Sequence, residues 1–172
     1  MHNRVGRLAN ILKKKFGIVK GDRVLIYMPM IIESCWAMLA CARIGATHSV
    51  VFGGFAAKEL SNRIDDCHPK LVILASTGIE PGKHIKYAPI VDEALSLCKK
   101  CENAASMPRL IVQRKELDGK LLDTVSEHYH DMHTLLEEEQ EVATAESLPS
   151  THPLYILYTS GTTGAPKGVV RD

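Results

Sequence analysis

Residues 23–52, RVLIYMPMIIESCWAMLACARIGATHSVVF, hold the pattern that decides the fold. RVLIYM is short, apolar and rich in β-formers, which marks a buried strand. IIESCWAMLACARIGA follows as a helix closed by Gly45, since glycine readily takes the left-handed conformation that ends a helix. HSVVF then repeats the strand signal. Working outward, Gly53 and Gly54 punctuate the chain, AAKELSNRIDDC has helical periodicity, and KLVILAS supplies a third strand. Strands alternating with helices of this length predict a parallel sheet with helices on its faces. Ligands then gather at the loops leaving the strands' carboxyl ends, which singles out loops 53–54 and 77–84.

Before this unit, Val5, Leu8, Ile11 and Leu12 recur at three-to-four spacing among Arg4, Arg7, Lys13, Lys14 and Lys15, the pattern of an amphipathic helix. After it, residues 87–98 read as a helix and RLIVQR as a fourth strand. The stretch 114–152 turns polar, with the acidic cluster Glu137, Glu138, Glu139 and Glu141, and reads as helix and surface loop. LYILYTS and GVVR read as two strands bracketing a glycine-rich turn. Trp36, Met38 and Leu39 are expected in a helix core. The fold class is α/β, a layered and mostly parallel sheet with helices on both faces.

A length of 172 residues suits one domain or a piece of one. The formal charge is +1, from 21 basic and 20 acidic side chains, so no field is strong enough to hold nucleic acid or an anionic membrane nonspecifically. Any polyanion site must be local. No apolar run reaches the roughly 20 residues that span a bilayer, and the first 22 residues lack the apolar centre of a signal peptide. Cys35, Cys41, Cys67, Cys98 and Cys101 are odd in number, which suits reduced thiols in an intracellular compartment.

The local polyanion site is found in YTSGTTGAPKGVV, residues 158–170. Glycines at 161, 164 and 168 let main-chain N–H groups approach a ligand, Thr159, Ser160, Thr162 and Thr163 add hydroxyl donors, and Lys167 adds a mobile positive charge. Together these suit a polyphosphate. A Walker A loop does not fit, because Pro166 falls where its second glycine belongs and Gly168 follows Lys167 where Ser or Thr is required. The β-branched GVV after Lys167 is also strand-like, so phosphate contact comes from a glycine-rich hairpin and not from a helix N-terminus.

ILYTSGTTGAPKG resembles the AMP-binding signature of the adenylate-forming superfamily at every position from Ile156 to Lys167. GDRVLIYMPM, AMLACARIGATHSVVFGGFAAKELSNRIDD and GIEPGK extend the resemblance over nearly the whole chain, toward the short-chain branch of acetyl- and propionyl-CoA synthetases. That resemblance implies a fragment of an AMP-forming acid–CoA ligase that uses ATP, Mg2+ and CoA on a small-molecule carboxylate, propionate or acetate. Thr159, Ser160, Gly161, Thr162, Thr163, Gly164 and Lys167 would then hold the ATP phosphates, and Gly54, Glu80, Pro81, Gly82 and Lys83 the CoA nucleotide. Acetyl-CoA synthetases often carry two arginines where this chain has Glu80 and Lys83, so the CoA contacts differ. EPGK also reads as a simple Pro-Gly turn, and the glycine pair as a simple bend. The adenine, ribose and catalytic-lysine segments of the family are expected outside these residues, so no catalytic residue is singled out within them. Mitochondrial matrix and cytoplasm both stay open. So do a ligase for another acid and an inactive nucleotide-binding fragment.

Two weaker constellations are set aside. Cys98 and Cys101 form one C-x-x-C without a matching pair, poor evidence for zinc. His128, His130 and His133 with Asp131 lie in a polar stretch expected to be solvated surface, so no metal site is assigned.

Overall fold

The computed structural model describes residues 1–118, 127–159 and 166–172. In chain order the elements are α1 (His2–Lys14), β1 (Arg23–Met28), α2 (Ile32–Arg43), β2 (Thr47–Phe52), α3 (Ala57–Cys67) and β3 (Leu71–Ala75). They continue with β4 (Thr77–Glu80), β5 (Lys83–Lys86), α4 (Tyr87–Ser96), β6 (Arg109–Val112), α5 (Lys115–Asp118), β7 (Tyr129–Asp131), α6 (Met132–Glu138), β8 (Tyr155–Thr159) and β9 (Lys167–Arg171).

Seven strands form one sheet in the order β7-β6-β3-β1-β2-β8-β9, parallel throughout except for the antiparallel β8–β9 pair. The central strands explain their own sequences. Val24 to Tyr27 and Leu71 to Ala75 are all at 0% exposure, because a parallel strand flanked by helices has no solvent face. Right-handed crossovers send α2 to one face and α3 and α4 to the other. The packing agrees, with α1 against α2 and α6, and α3 against α4. Gly45, at φ +72, turns the chain out of α2 as expected, and His68, at φ 46, ends α3 in the same conformation.

Four expectations are corrected. The loop assigned to 77–84 is mostly an antiparallel hairpin, β4 paired with β5. Leu39 is 48% exposed and not in the core, while Trp36 is half-buried under the Arg4 guanidinium, 5.8 Å from its ring centroid. The polar region 114–152 contains a strand, β7, too short to show a period but fixed by the buried Tyr129. Two of its histidines, His130 and His133, are correspondingly anchored. Asp131 caps α6 by accepting from the Thr134 N–H, His130 packs edge-on against Phe16 at 5.3 Å, and His133 lies 3.4 Å from Glu33.

The acidic cluster is partly a strap across α1. Glu141 bonds Arg7 and Asn3, Glu139 bonds Lys14, and the Asn10 amide donates to the carbonyls of Gln140 and Val142 at 3.1 and 3.0 Å. Exposed ion pairs contribute little each, about 0–1 kcal/mol, so the buried Asn10 bridge matters more. Gly6 lets the strap pass, since a Cβ there would run into the Glu141 carbonyl oxygen.

Candidate functional site

The described members of both predicted ligand sets lie toward one edge of the sheet, where the parallel strands end. Phe52 closes β2, Ala75 closes β3 and Thr159 closes β8, so the segments that follow them project from the same side. This is the side on which α/β sheets bind ligands.

After β2, Gly53 is buried and Gly54 exposed. The β4–β5 hairpin stands beside them. Thr77 pairs with Lys86 and Glu80 with Lys83, and the turn between is Pro81–Gly82, with Gly82 at φ +78. A side chain at Gly54 would come within 3.5 Å of Glu80 Oε1, so the two parts of the predicted CoA set meet. Glu80 and Lys83 form a 3.4 Å ion pair, and Lys83, His84 and Lys86 are exposed. Phe52, 69% exposed, presents its ring next to Gly54. A glycine without a side chain, an exposed aromatic ring and several cations suit a phosphorylated nucleotide, because the ring offers a stacking face and the cations offer charge. The turn reading of EPGK is correct as local structure. The two readings are compatible, since the turn is what brings Lys83 back against Glu80.

Of the predicted phosphate set, Thr159 and Lys167 face each other as the last pair of the β8–β9 ladder, and both are exposed. Ser160, Gly161, Thr162, Thr163 and Gly164 lie outside the described residues. The stem beneath is tied to α3. Tyr158 donates from its hydroxyl to Asp66 Oδ2 at 2.6 Å, and the Arg63 guanidinium sits 5.4 Å from the Tyr158 ring and 4.4 Å from the Phe55 ring. Gly168 permits this contact, because its Cβ would lie 3.2 Å from Asp66 Oδ2 and from the Tyr158 ring. A cleft of about 320 Å³ opens beside the stem, with Lys58, Lys99 and Lys100 among its lining residues. Its carboxylates are engaged internally. Asp66 takes Tyr158, and Asp65 accepts from the N–H groups of Lys99, Lys100 and Cys101 at 2.9 to 3.1 Å. Burial pushes the Asp65 carboxyl up, but those backbone donors outweigh it and hold the group below the usual range.

The C-x-x-C pair is two neutral thiols. Cys98 donates to the Ala94 carbonyl at 3.3 Å and Cys101 to Asn103 Oδ1 at 3.0 Å, and burial, followed by the nearby Asp65 charge, pushes Cys98 up to about 12. All five cysteines are free. No described helix is long and apolar enough to cross a membrane.

Sequence reading missed the residues that hold these surfaces in place, Tyr27, Arg63 and Tyr87. Each lies far along the chain from what it braces, so no local pattern marks it.

The chain matches the family described as AMP-binding enzyme over residues 1–172. It is 52% identical to the Bos taurus acyl-CoA synthetase short-chain family member 3, mitochondrial, an alignment covering 98% of this chain and 23% of that protein. The Homo sapiens protein of the same name is 49% identical over the same shares, and acetyl-coenzyme A synthetase of Marinomonas sp. is 46% identical over 99% of this chain and 25% of that protein. The chain thus spans about a quarter of the length of the curated relatives it matches. Matched to that family over residues 1–172, the chain belongs to the AMP-binding enzymes.

Proposed function

We propose that these residues are part of an AMP-forming short-chain acyl-CoA synthetase, which joins a small carboxylic acid to CoA at the expense of ATP. The observation that supports the reading is that two candidate surfaces lie at the same end of the parallel strands, with β2 paired to β8. One is Gly54 with Glu80–Lys83, which we assign to CoA, and the other is the exposed Thr159–Lys167 pair, which we assign with the residues between them to the ATP phosphates. The names of the relatives support the same chemistry.

In the first step a carboxylate oxygen of the acid attacks the α phosphorus of ATP, the bond from that phosphorus to the pyrophosphate oxygen breaks, and acyl-adenylate forms. Negative charge grows on the departing pyrophosphate. Lys167, with donors from Thr159 to Gly164, is assigned to bind that charge, and magnesium enters with ATP as part of the substrate. In the second step the CoA sulfur, having lost its proton, attacks the acyl carbon and AMP departs. Gly54, Pro81, Gly82 and Lys83 are assigned to hold the CoA nucleotide, and Glu80 to orient Lys83 through their ion pair.

The test uses the full-length protein with a panel of acids from acetate upward. Acid-dependent exchange of pyrophosphate into ATP, and a CoA thioester with short acids, are expected. ATP binding without acid-dependent exchange would contradict the reading and leave a nucleotide-binding protein.

A further inference from the structure

Tyr87 opens α4 directly after the β4–β5 hairpin and is 3% exposed. Its N–H donates to the Ser76 carbonyl at 3.0 Å, fixing it to the end of β3. Its ring then reaches between two glycines from different parts of the chain. A Cβ on Gly53 would lie 2.5 Å from the Tyr87 hydroxyl oxygen and 3.1 Å from Cε1, and a Cβ on Gly78 would lie 2.6 Å from the same oxygen and 2.9 Å from Cε2. The two glycines therefore flank opposite edges of one ring. Neither has the positive φ that demands glycine for backbone reasons. Tyr27 completes the corner, with its ring edge-on to Tyr87 at 5.1 Å and its hydroxyl donating to the Phe55 carbonyl at 2.6 Å.

Gly54 differs from both. Its nearest neighbour is the exposed Phe52 ring, the far end of a side chain that can swing away. Adjacent glycines thus have different reasons to be glycine, Gly54 for access from solvent and Gly53 for room inside.

We infer that Gly53 and Gly78 are glycine to admit Tyr87, and that Tyr87 is the positioning residue that locks the Gly53–Gly54 loop to the β4–β5 hairpin in the arrangement that receives CoA. The second clause rests on the proposed function, whereas the steric first clause does not. Tyr87 touches no substrate in this account. It acts by keeping Gly54 and Glu80 in register, and misplacing a binding group by about 1 Å can cost up to roughly a hundredfold.

The experiment compares Gly53→Ala, Tyr87→Phe and the double variant in the full-length enzyme. Gly53→Ala is expected to raise the KM for CoA about tenfold or more while acid-dependent pyrophosphate exchange, which does not involve CoA, changes less than about twofold. Tyr87→Phe keeps the ring and is expected to stay near wild type. The double variant removes the oxygen, the shortest of these contacts, and leaves the ring carbons 3.1 Å away, so its KM is expected to return part of the way to wild type. A double variant no better than Gly53→Ala, or an unchanged KM in Gly53→Ala, overturns the inference. Should Gly53→Ala alone fail to fold, Gly53→Ala combined with Tyr87→Leu, which removes the ring from that space, decides the matter: recovery of soluble protein supports the inference, and continued failure overturns it. The urea midpoints give the steric clause its own readout, with Gly53→Ala lowered and the double variant partly restored. If the wild-type enzyme forms no CoA thioester, the functional reading fails while this rescue of stability still decides the steric clause.

Discussion

Tyr27 and Tyr158 each end in a 2.6 Å hydrogen bond, yet they serve regions of opposite construction. Tyr27 is fully buried beneath the Gly53–Gly54 loop and donates to the Phe55 carbonyl, also lying 3.3 Å from that of Gly53. Tyr158 is half-buried on the β8–β9 stem at the end of the sheet and donates to a carboxylate on α3. The corner proposed for CoA is thus assembled by packing between stretches some thirty residues apart. The β8–β9 stem proposed for the phosphates is local in sequence, and a few side chains tie it to the rest. The first should resist change through its core, and the second should act through the loop it carries.

The largest loss of stability should come from Tyr27→Phe, which strips the hydroxyl of a fully buried side chain from a partly buried carbonyl and is expected to cost about 2 kcal/mol in urea unfolding. A loss as small as that of a surface substitution would break the contrast. Gly54→Ala should act differently. Phe52 can move aside, so stability is expected to change by less than about 0.5 kcal/mol, whereas the KM for CoA in the full-length enzyme should rise about tenfold. Equal losses of stability and affinity would show that Gly54 serves the fold. Tyr158→Phe removes a hydrogen bond at a partly exposed site and is expected to cost about 1 kcal/mol at most. A cost matching that of Tyr27→Phe would mean the stem is as deeply built as the corner.

The smallest effect sits on the seam between the regions. His48 of β2, 8% exposed and tilted against the Tyr155 ring, has no hydrogen-bond partner for Nδ1 among the described residues, and burial lowers its pKa below the ordinary 6.5. A histidine held neutral contributes stability that is fully present above 6.5 and is lost as pH falls through that value toward the depressed folded one. His130, lowered by burial and then by Lys15 and His128, acts in the same direction. Urea midpoints at about pH 7.5 and about pH 5.5 should therefore differ, and His48→Leu should shrink the difference without abolishing it. An unchanged difference would place the titration elsewhere.

The same contrast explains what sequence reading could reach. Strands β1 and β3 were legible because burial on both faces leaves an unbroken apolar run, and α2 because Gly45 closes it. The family was legible from the glycine-rich stretch because that signature is contiguous in sequence. The β4–β5 hairpin was not read as strands, since each is only four residues long, although Pro81–Gly82 between TGIE and KHIK was a usable turn signal. β7 is three residues of polar character whose identity comes from pairing with β6. The strap over α1 depends on Gly6 and Asn10 meeting a stretch around Glu141, more than 130 residues further on, and no local pattern carries that. Tyr87 escaped notice for the same reason. Its partners are the absent side chains of two glycines.

The most direct test of the central claim is acid-dependent pyrophosphate exchange by the full-length enzyme carrying Lys167→Ala. If the stretch beyond Thr159 exists to hold the departing pyrophosphate, the folded variant should lose about a hundredfold or more of that rate. Exchange at the wild-type rate would contradict the account.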